Sequence, residues 1–220
     1  MKRPILVIIL VAAIAAASGQ TLDHSFQAPL PIRAAFIKAI VVQPDGKILL
    51  GGDIKFYGTQ RVNNLIRLEA DGSLDESFSF GGDEDMIIVN LALLPSGEIV
   101  AASHKYDSYN DLFVSGAGKL MTLNPDGTIN KEISVYPNHE VFAVDASGKI
   151  LVVTDKLVRY NPDLTPDAGF QDLDANGGVS AVAFTGDKIL VAGLFSTVQG
   201  VEKHDIVRLN SDGSLDPAFD

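Results

Sequence analysis

The chain has 220 residues, of which 46% are hydrophobic and 20% are charged, and its formal net charge is -11. This composition is typical of a folded globular domain and argues against a disordered chain. Because binding to nucleic acid or to an anionic membrane surface needs clustered Lys and Arg, the acidity argues against both partners. The chain contains no cysteine, which excludes disulfides and thiolate metal sites.

The first segment has the pattern of a secretory signal peptide. Two basic residues precede an uninterrupted apolar run over 5–17, which is shorter than the about 20 residues that span a bilayer. Small residues follow, so we predict that residues 1–19 are a signal peptide cleaved between Gly19 and Gln20. The remaining chain is then secreted or extracytoplasmic. Cleavage two residues earlier and an uncleaved N-terminal anchor are the alternatives.

Two phrases alternate along the rest of the chain. One has a turn between apolar segments and occurs at 41–52, 92–103, 143–154 and 182–193. The other ends in Phe or Ile and occurs in full at 68–78, 123–133, 160–170 and 209–219, with a partial copy, TLDHSF, at 21–26. This periodicity predicts one repeat domain over 20–220, with units at about 27–78, 79–133, 134–170 and 171–220.

Each phrase has the pattern of a β-hairpin. Gly at the turn can adopt the positive φ that tight turns need, and a neighbouring Asp or Ser can cap the turn. The segment after the first turn, such as KILLGG at 47–52, is apolar on consecutive residues, as expected for a strand covered on both faces. Two hairpins give four antiparallel strands per unit. We therefore predict an all-β fold, a β-propeller built of four-stranded antiparallel blades.

The combination of QPDGKILLGG at 43–52 with NNLIRLEADGSLDESF at 63–78 resembles the delta-60 repeat of bacterial exported and cell-surface propeller proteins. The resemblance covers essentially residues 21–220, implies a propeller and implies no catalytic residues. The second unit departs from the pattern, with Thr122 where the others have Arg67, Arg159 and Arg208. The third has Leu164 in place of the turn glycine, which predicts a turn of a different type there.

Four units lie at the lower limit of the four to eight blades that propellers have. The chain could form a small closed ring, with TLDHSF added to a neighbouring edge. It could form an open arc whose ends pair with another copy, or it could be a fragment of a longer array. An open arc would expose strand edges and apolar faces, so self-association is expected for that alternative.

Variable connections on a rigid scaffold are where binding sites arise. The connections at 53–64, 104–118 and 194–205 differ between units, and the second is the longest. It places aromatic residues beside acids and amides, which suits contacts with sugar rings or peptides. An ordinary solvated loop is the alternative. The ligand-binding candidates of this loop are Tyr106, Asp107, Tyr109, Asp111 and Phe113.

The other repeated polar residues are better explained by architecture. The turn acids lack the converging oxygens of a calcium loop, so we predict that they cap turns: Asp45, Asp71, Asp126, Asp163 and Asp212. We predict that the repeated arginines pair between blades with acids of the following phrase, such as Asp75 or Asp216. No metal ligand set, cofactor motif or nucleophile motif is recognisable in the sequence.

These observations favour an exported, non-catalytic propeller that acts as a binding or structural scaffold and presents its loops to a protein or a polysaccharide at the bacterial cell surface. The alternative is a propeller-type metal-dependent hydrolase or lactonase. That activity needs Glu, Asn and Asp side chains converging at the central channel, and the carboxylates do not repeat on the inner strands. A structural spacer within a larger adhesin is a third interpretation.

Overall fold

The computed structural model describes residues 23–28, 36–107, 112–113, 118–135 and 142–219. The predicted signal peptide lies outside the described residues. Throughout these ranges the chain forms strands and turns, and no helix in them is long and apolar enough to cross a membrane.

Four antiparallel sheets follow one another along the chain, and we call them blades 1 to 4. Blade 1 contains β1 (Phe36–Val42), β2 (Ile48–Asp53) and β5 (Leu65–Leu68), with a small separate hairpin of β3 (Phe56–Tyr57) and β4 (Gln60–Arg61). Blade 2 contains β6 (Met86–Leu93), β7 (Ile99–Asp107), β9 (Gly118–Leu123) and β10 (Ile129–Val135), with β8 (Leu112–Phe113) paired to β7. Blade 3 contains β11 (Phe142–Val144), β12 (Ile150–Val153) and β13 (Leu157–Tyr160). Blade 4 contains β14 (Val179–Thr185), β15 (Lys188–Gly193) and β18 (Ile206–Leu209), with a separate hairpin of β16 (Thr197–Val198) and β17 (Val201–Glu202).

The fourth, outer strand of the blade is complete only in blade 2, where β10 pairs with β9. In the other blades it is reduced to a single antiparallel bridge, as between Leu68 and Leu74 in blade 1. The reason is local, because Asp75 accepts a hydrogen bond at 2.9 Å from the Ser77 amide and so closes a turn directly after the bridge. The prediction of an all-β propeller is confirmed, with outer strands shorter than the phrase length suggests.

Successive blades pack face to face, and the hydrophobic core lies between them. The second strand of each blade is central and covered on both sides, and β12 is buried along its whole length. The cluster between blades 1 and 2 includes Leu49 and Leu65 from one side and Ile88, Ile99 and Met121 from the other. Equivalent clusters join blade 2 to blade 3 and blade 3 to blade 4. The sequence repeat therefore produces an equivalent hydrophobic contact between each pair of successive blades.

The described blades form an open arc. Strand β6 packs against both β1 and β11, and β11 packs against β14, but β14 makes no comparable contact with β1. The exposed side chains agree, since Ile40 of blade 1 is 57% exposed and Ile206 of blade 4 is 48% exposed. Of the alternatives that the sequence left open, the described residues match the arc.

Candidate functional site

The two ends of the blades differ in character. At one end lie the turns between the first and second strands and the turns after the third strands, and nearly all have the same hydrogen-bond pattern. The connections between the second and third strands start at the opposite end. In blades 1 and 4 they also extend along the blade, where Tyr57 Oη donates to the Gly72 carbonyl at 2.6 Å and Gln199 Nε2 donates to the Gly213 carbonyl at 3.0 Å. The ranges of the connections are 53–64, 104–118, 154–156 and 194–205, and we call the end at which they start the connection face.

The predicted turn capping is confirmed at the first of these ends. In every repeat the carboxylate of the turn acid accepts a hydrogen bond from the amide two residues later, at 2.9 to 3.1 Å. Hydrogen bonds from Ser73 to Asp71 hold the pKa of that carboxyl below its ordinary value, because they stabilise the charged form. The acids that cap their turns in this way are Asp45, Asp71, Asp126, Asp163 and Asp212.

The prediction of a different turn at Leu164 is wrong. The Leu164 amide donates to the Asn161 carbonyl at 2.9 Å, as the Gly72 amide donates to the Glu69 carbonyl at 3.0 Å. Leu164 therefore adopts the left-handed conformation with φ 61°. Its side chain is 2% exposed and packs in the core between blades 2 and 3. This burial offsets the cost of a left-handed conformation, about 1–2 kcal/mol for a residue with a side chain.

A repeated cluster lies beside the turns, and we call it the blade latch. It consists of an arginine on the third strand, an aspartate eight residues later and a phenylalanine three residues after that. In blade 1 the Arg67 Nε donates to an Asp75 carboxylate oxygen at 2.7 Å, and the guanidinium lies 4.8 Å from the centre of the Phe78 ring. The same geometry recurs in two further triplets, Arg159, Asp167 and Phe170 in blade 3 and Arg208, Asp216 and Phe219 in blade 4.

The predicted partners of the arginines are confirmed, but the prediction that these pairs join two blades is wrong. Arg67 and Asp75 belong to the same blade, because the hairpin folds the aspartate back onto its own third strand. The contact with the next blade is instead a hydrogen bond from Arg67 Nη1 to the Pro125 carbonyl of blade 2, at 2.6 Å. Arg159 donates in the same way to the Ser211 carbonyl of blade 4. The latches of blades 1 and 3 therefore order their own blade and also hold the next one.

The latch carboxylates remain ionised to unusually low pH. Burial raises the pKa of Asp75, but hydrogen bonds from Lys47, Ser77 and Arg67 outweigh burial and hold the pKa well below its ordinary value. Asp167 shows the same balance, with burial opposed by Lys149, a backbone amide and Arg159. These perturbed groups already have partners, so their role is structural.

The connection face is built differently. In blade 1 it carries the β3–β4 hairpin, which Asn64 holds in place. Asn64 is fully buried with φ 52°; its side chain accepts a hydrogen bond from the Ile54 amide at 3.1 Å and donates to the carbonyls of Glu84 and Met86 at 2.8 and 2.7 Å. Asp205 has φ 60° at the equivalent point of blade 4. This anchor makes the hairpin a rigid part of the blade.

A cavity of about 360 Å³ opens beside this hairpin, between blade 1 and the segment leading to blade 2. Arg61, Asn63, Glu76 and Phe80 are among the residues that line it. The Asn63 amide nitrogen donates to the Gly82 carbonyl at 2.5 Å. Its carbonyl oxygen is buried and accepts no hydrogen bond from the described residues. The cavity wall thus combines charged side chains, of which Arg61 also pairs with Glu84 at 2.7 Å, with an aromatic ring.

Of the predicted loop candidates, Tyr106, Asp107 and Phe113 lie on the same face. Tyr106 and Asp107 are the last residues of β7, and their backbones pair with those of Phe113 and Leu112 in β8. Tyr109 and Asp111 lie outside the described residues. Sequence reasoning missed Asn63 and Asn64. The available signal was the pair of polar residues before the third strand, since Asn and Asp tolerate positive φ better than other residues with side chains.

Within the described ranges, no three His, Cys, Asp or Glu side chains come close enough together to hold a metal ion. The acids that the repeat brings near one another are instead paired with lysines and arginines, as Asp75 is with Lys47 at 2.8 Å and with Arg67 at 2.7 Å.

Three stretches of the chain, 43–78, 146–170 and 187–219, match a family model described as a domain of unknown function (DUF5122) beta-propeller. The repeats in these three stretches belong to this β-propeller repeat family. The resemblance to the delta-60 repeat is thereby confirmed. The stretches that match the DUF5122 model fall on blades 1, 3 and 4, which are the blades with an arginine latch, whereas blade 2 has Thr122 at that position.

A comparison with curated proteins gives no match. Among solved structures, a protein of unknown function from Bacteroides caccae is 11% identical, with 83% of this chain and 81% of that chain covered and a TM-score of 0.50. BamB from Moraxella catarrhalis is 12% identical, with 81% and 60% covered and a TM-score of 0.44. A gluconolactonase from Xanthomonas campestris is 14% identical, with 70% and 52% covered and a TM-score of 0.40. At these identities the similarity concerns the fold.

Proposed function

We propose that this DUF5122 propeller is an exported, non-catalytic scaffold that binds a protein or a polysaccharide at the cell surface through its connection face. The observation that carries the proposal is the contrast between the two ends of the blades. One end repeats a single capped turn, whereas the other carries connections that differ in length and sequence. Variation confined to one end of a rigid scaffold is typical of a binding surface.

The connection face has the chemistry that such a role needs. The cavity beside the β3–β4 hairpin is lined by Gln60, Arg61 and Phe80 among others, and so can form hydrogen bonds with a hydroxyl or amide and contact a ring. The loop candidates at the ends of β7 and β8 lie on this face as well. Export is supported by the basic and apolar pattern of residues 1–19.

A non-catalytic role is supported by how the charged groups are used. The acids with strongly lowered pKa values, such as Asp75, belong to blade latches. Each latch acid is bonded to an arginine of its own blade, and in blades 1 and 3 that arginine also holds the next blade. The ionisable groups that could do chemistry are therefore committed to architecture.

The test uses the purified chain and an immobilised cell-envelope fraction, before and after protease digestion, so that protein and polysaccharide ligands are distinguished. The test variant combines Gln60→Ala, Arg61→Ala and Glu202→Ala, three exposed residues of the two connection hairpins. The matched control is Ser211→Ala, an exposed residue at the capped end. We expect the triple variant to lose binding and the control to keep it. Equal binding by both would contradict the proposal. So would metal-dependent turnover of ester or lactone substrates that is lost in the triple variant.

A further inference from the structure

We propose that two copies of this chain join head to tail, with blade 4 of each copy packing on blade 1 of the other, and close a ring of eight blades. The proposal rests on the junctions between blades within one chain. Each junction joins a leading face, which is the side of a blade turned towards the next blade along the chain, to the trailing face of that next blade. The arc leaves one trailing face and one leading face without a partner among the described residues.

The junction between blades 1 and 2 shows what these faces need. Its leading face is small at the centre, because Gly51 stands where the large side chains Ile88 and Leu91 of the trailing face approach. A Cβ at Gly51 would lie 2.5 Å from Ile88 Cγ2 and 3.1 Å from Leu91 Cδ1. In this junction Ile88 is 0% exposed and Leu91 is 6% exposed. The contact is therefore an interlocking of a small surface with a large one.

Blade 1 presents the same large trailing face to solvent. A bulge between Ile37 and Ala39 aligns β1 with β6, which has its bulge between Ile88 and Asn90. In this alignment Ile37 corresponds to Ile88, and Ile40 corresponds to Leu91. Their exposed fractions are 50% and 57%. An exposed row of large apolar side chains of this kind marks an interaction surface.

Blade 4 presents the matching small leading face. Ala192 pairs with Ile206 in β18, as Gly51 pairs with Leu65 in β5, so Ala192 takes the position of Gly51. Its methyl group does not prevent a junction, because blade 2 has Ala102 at this position and Ala102 is buried against blade 3. Around it Ala181 and Ala183 are exposed on β14. Ile206 is 48% exposed, whereas Leu65 is 2% exposed. The free face of blade 4 is thus small and apolar where the free face of blade 1 is large and apolar.

The latch of blade 4 is incomplete in a way that points to the same partner. The side chains of Arg67 and Arg159 are 10% and 11% exposed and donate to a carbonyl of the next blade, whereas the Arg208 side chain is 29% exposed. Arg208 keeps its bond to Asp216 at 2.7 Å but reaches no carbonyl of another blade among the described residues. In the proposed dimer the equivalent acceptor is the Ala70 carbonyl in blade 1 of the other copy, because Ala70 directly precedes the turn acid Asp71.

The N-terminal phrase occupies part of this docking surface. The Gln27 amide donates to the Asp71 carbonyl at 2.9 Å, and the Phe26 ring approaches Gly72. Within the chain, Ser79 and Phe78 make the same contacts with Asp126 and Gly127 of blade 2. In the proposed dimer the phrase that ends at Phe219 of one copy replaces the Phe26 phrase of the other. The exchange substitutes like contacts for like, so the apolar contacts of the rest of the junction must supply the free energy of association.

The blade count is compatible with a closed ring. Two chains with four described blades each give eight, the upper end of the usual range for propellers. A head-to-tail contact closes when its rotation completes a circle. The two junctions of such a dimer are identical, and closure leaves neither apolar face exposed to solvent.

The test measures the molar mass of the exported, purified chain by light scattering across a dilution series. We expect twice the mass of one chain, with Ile40→Asp and Ala183→Asp each weakening dimerisation at least about tenfold, because a charge would be buried without a partner. Both residues are exposed in the single chain, so the variants should fold. The control is Val201→Asp, at an exposed apolar residue of the connection face, and it should leave the mass unchanged. Phe26→Ala removes the competing phrase and should strengthen dimerisation.

Mixing the two variants tests the head-to-tail arrangement. Ile40→Asp leaves blade 4 intact and Ala183→Asp leaves blade 1 intact, so an equimolar mixture should form a dimer through one undamaged junction. A monomer at all concentrations would overturn the proposal. A dimer that resists either variant, or a mixture that stays monomeric, would overturn it as well. Open-ended oligomers would overturn the closed ring.

Discussion

Replacing the latch arginine should cost much more stability in blade 1 than in blade 4. Arg67→Ala removes a bond to the Asp75 carboxylate, a bond to the Pro125 carbonyl and a ring contact with Phe78. Breaking a buried pair usually costs about 3–5 kcal/mol, and Lys47 still bonds Asp75 at 2.8 Å, so we expect about 3 kcal/mol. Arg208 is more exposed and lacks the carbonyl partner, so Arg208→Ala should cost about 1 kcal/mol.

The assay is urea unfolding followed by circular dichroism, with the free energy of unfolding extrapolated to water. Both variants are made in the Ile40→Asp background, so that association through blade 4 does not contribute. Arg67→Lys serves as a second comparison, since it keeps the charge but cannot form both bonds in the same geometry. Equal losses for the two alanine variants would refute the reasoning, because they would show that the bond to the next blade contributes nothing.

Three further predictions concern the turns and the acids. Gly127→Ala should destabilise the fold by about 1–3 kcal/mol more than Gly97→Ala. Both glycines have φ near 90°, but only at Gly127 would an added Cβ lie 2.8 Å from the Ser79 carbonyl oxygen. Similar urea midpoints for the two variants would contradict this. Leu164→Gly relieves about 1–2 kcal/mol of backbone strain but removes a buried leucine that contributes about 2–3 kcal/mol. A net loss is therefore expected, and a higher midpoint would show that burial does not offset the strain. Because the pKa of Asp75 is lowered on folding, its contribution is complete above the unfolded pKa of about 3.9 and is lost as pH falls below that value. Urea midpoints should accordingly hold steady from about pH 7 to 5 and fall below about pH 4, less steeply in Asp75→Asn; an identical fall in that variant would contradict the assignment.

Much of the fold could be predicted because the same turn, strand and arginine patterns recur in several units of the sequence. The turn acids, the central apolar strands and the arginine partners all follow from short-range patterns, and the structure confirms them. The turn at Leu164 could not be predicted, because its conformation is maintained by packing between blades 2 and 3. The choice between ring and arc was equally inaccessible, since small rotations at each junction add up over the whole chain.

The connection face was predicted less completely. Its ranges could be recognised from their variation, but the hairpins β3–β4 and β16–β17 have only two residues per strand and leave no periodic pattern. Whether the Asn63 carbonyl oxygen accepts a hydrogen bond depends on which groups the fold brings next to it, and the sequence alone does not show this. The candidates Tyr106, Asp107, Tyr109, Asp111 and Phe113 remain predictions, to be tested by the same binding assay.

Disulfide trapping tests the central claim most directly, which is that successive repeats pack as blades through a small face meeting a large one. The chain has no cysteine, so Gly51→Cys with Ile88→Cys introduces a single possible pair. A Cβ at Gly51 would lie 3.0 Å from the Ile88 Cβ, near the roughly 3.5–4.5 Å of a disulfide. Mild oxidation should link blades 1 and 2 within one chain, as peptide mapping would show. Two free thiols, or links only between chains, would contradict the proposed packing of the repeats.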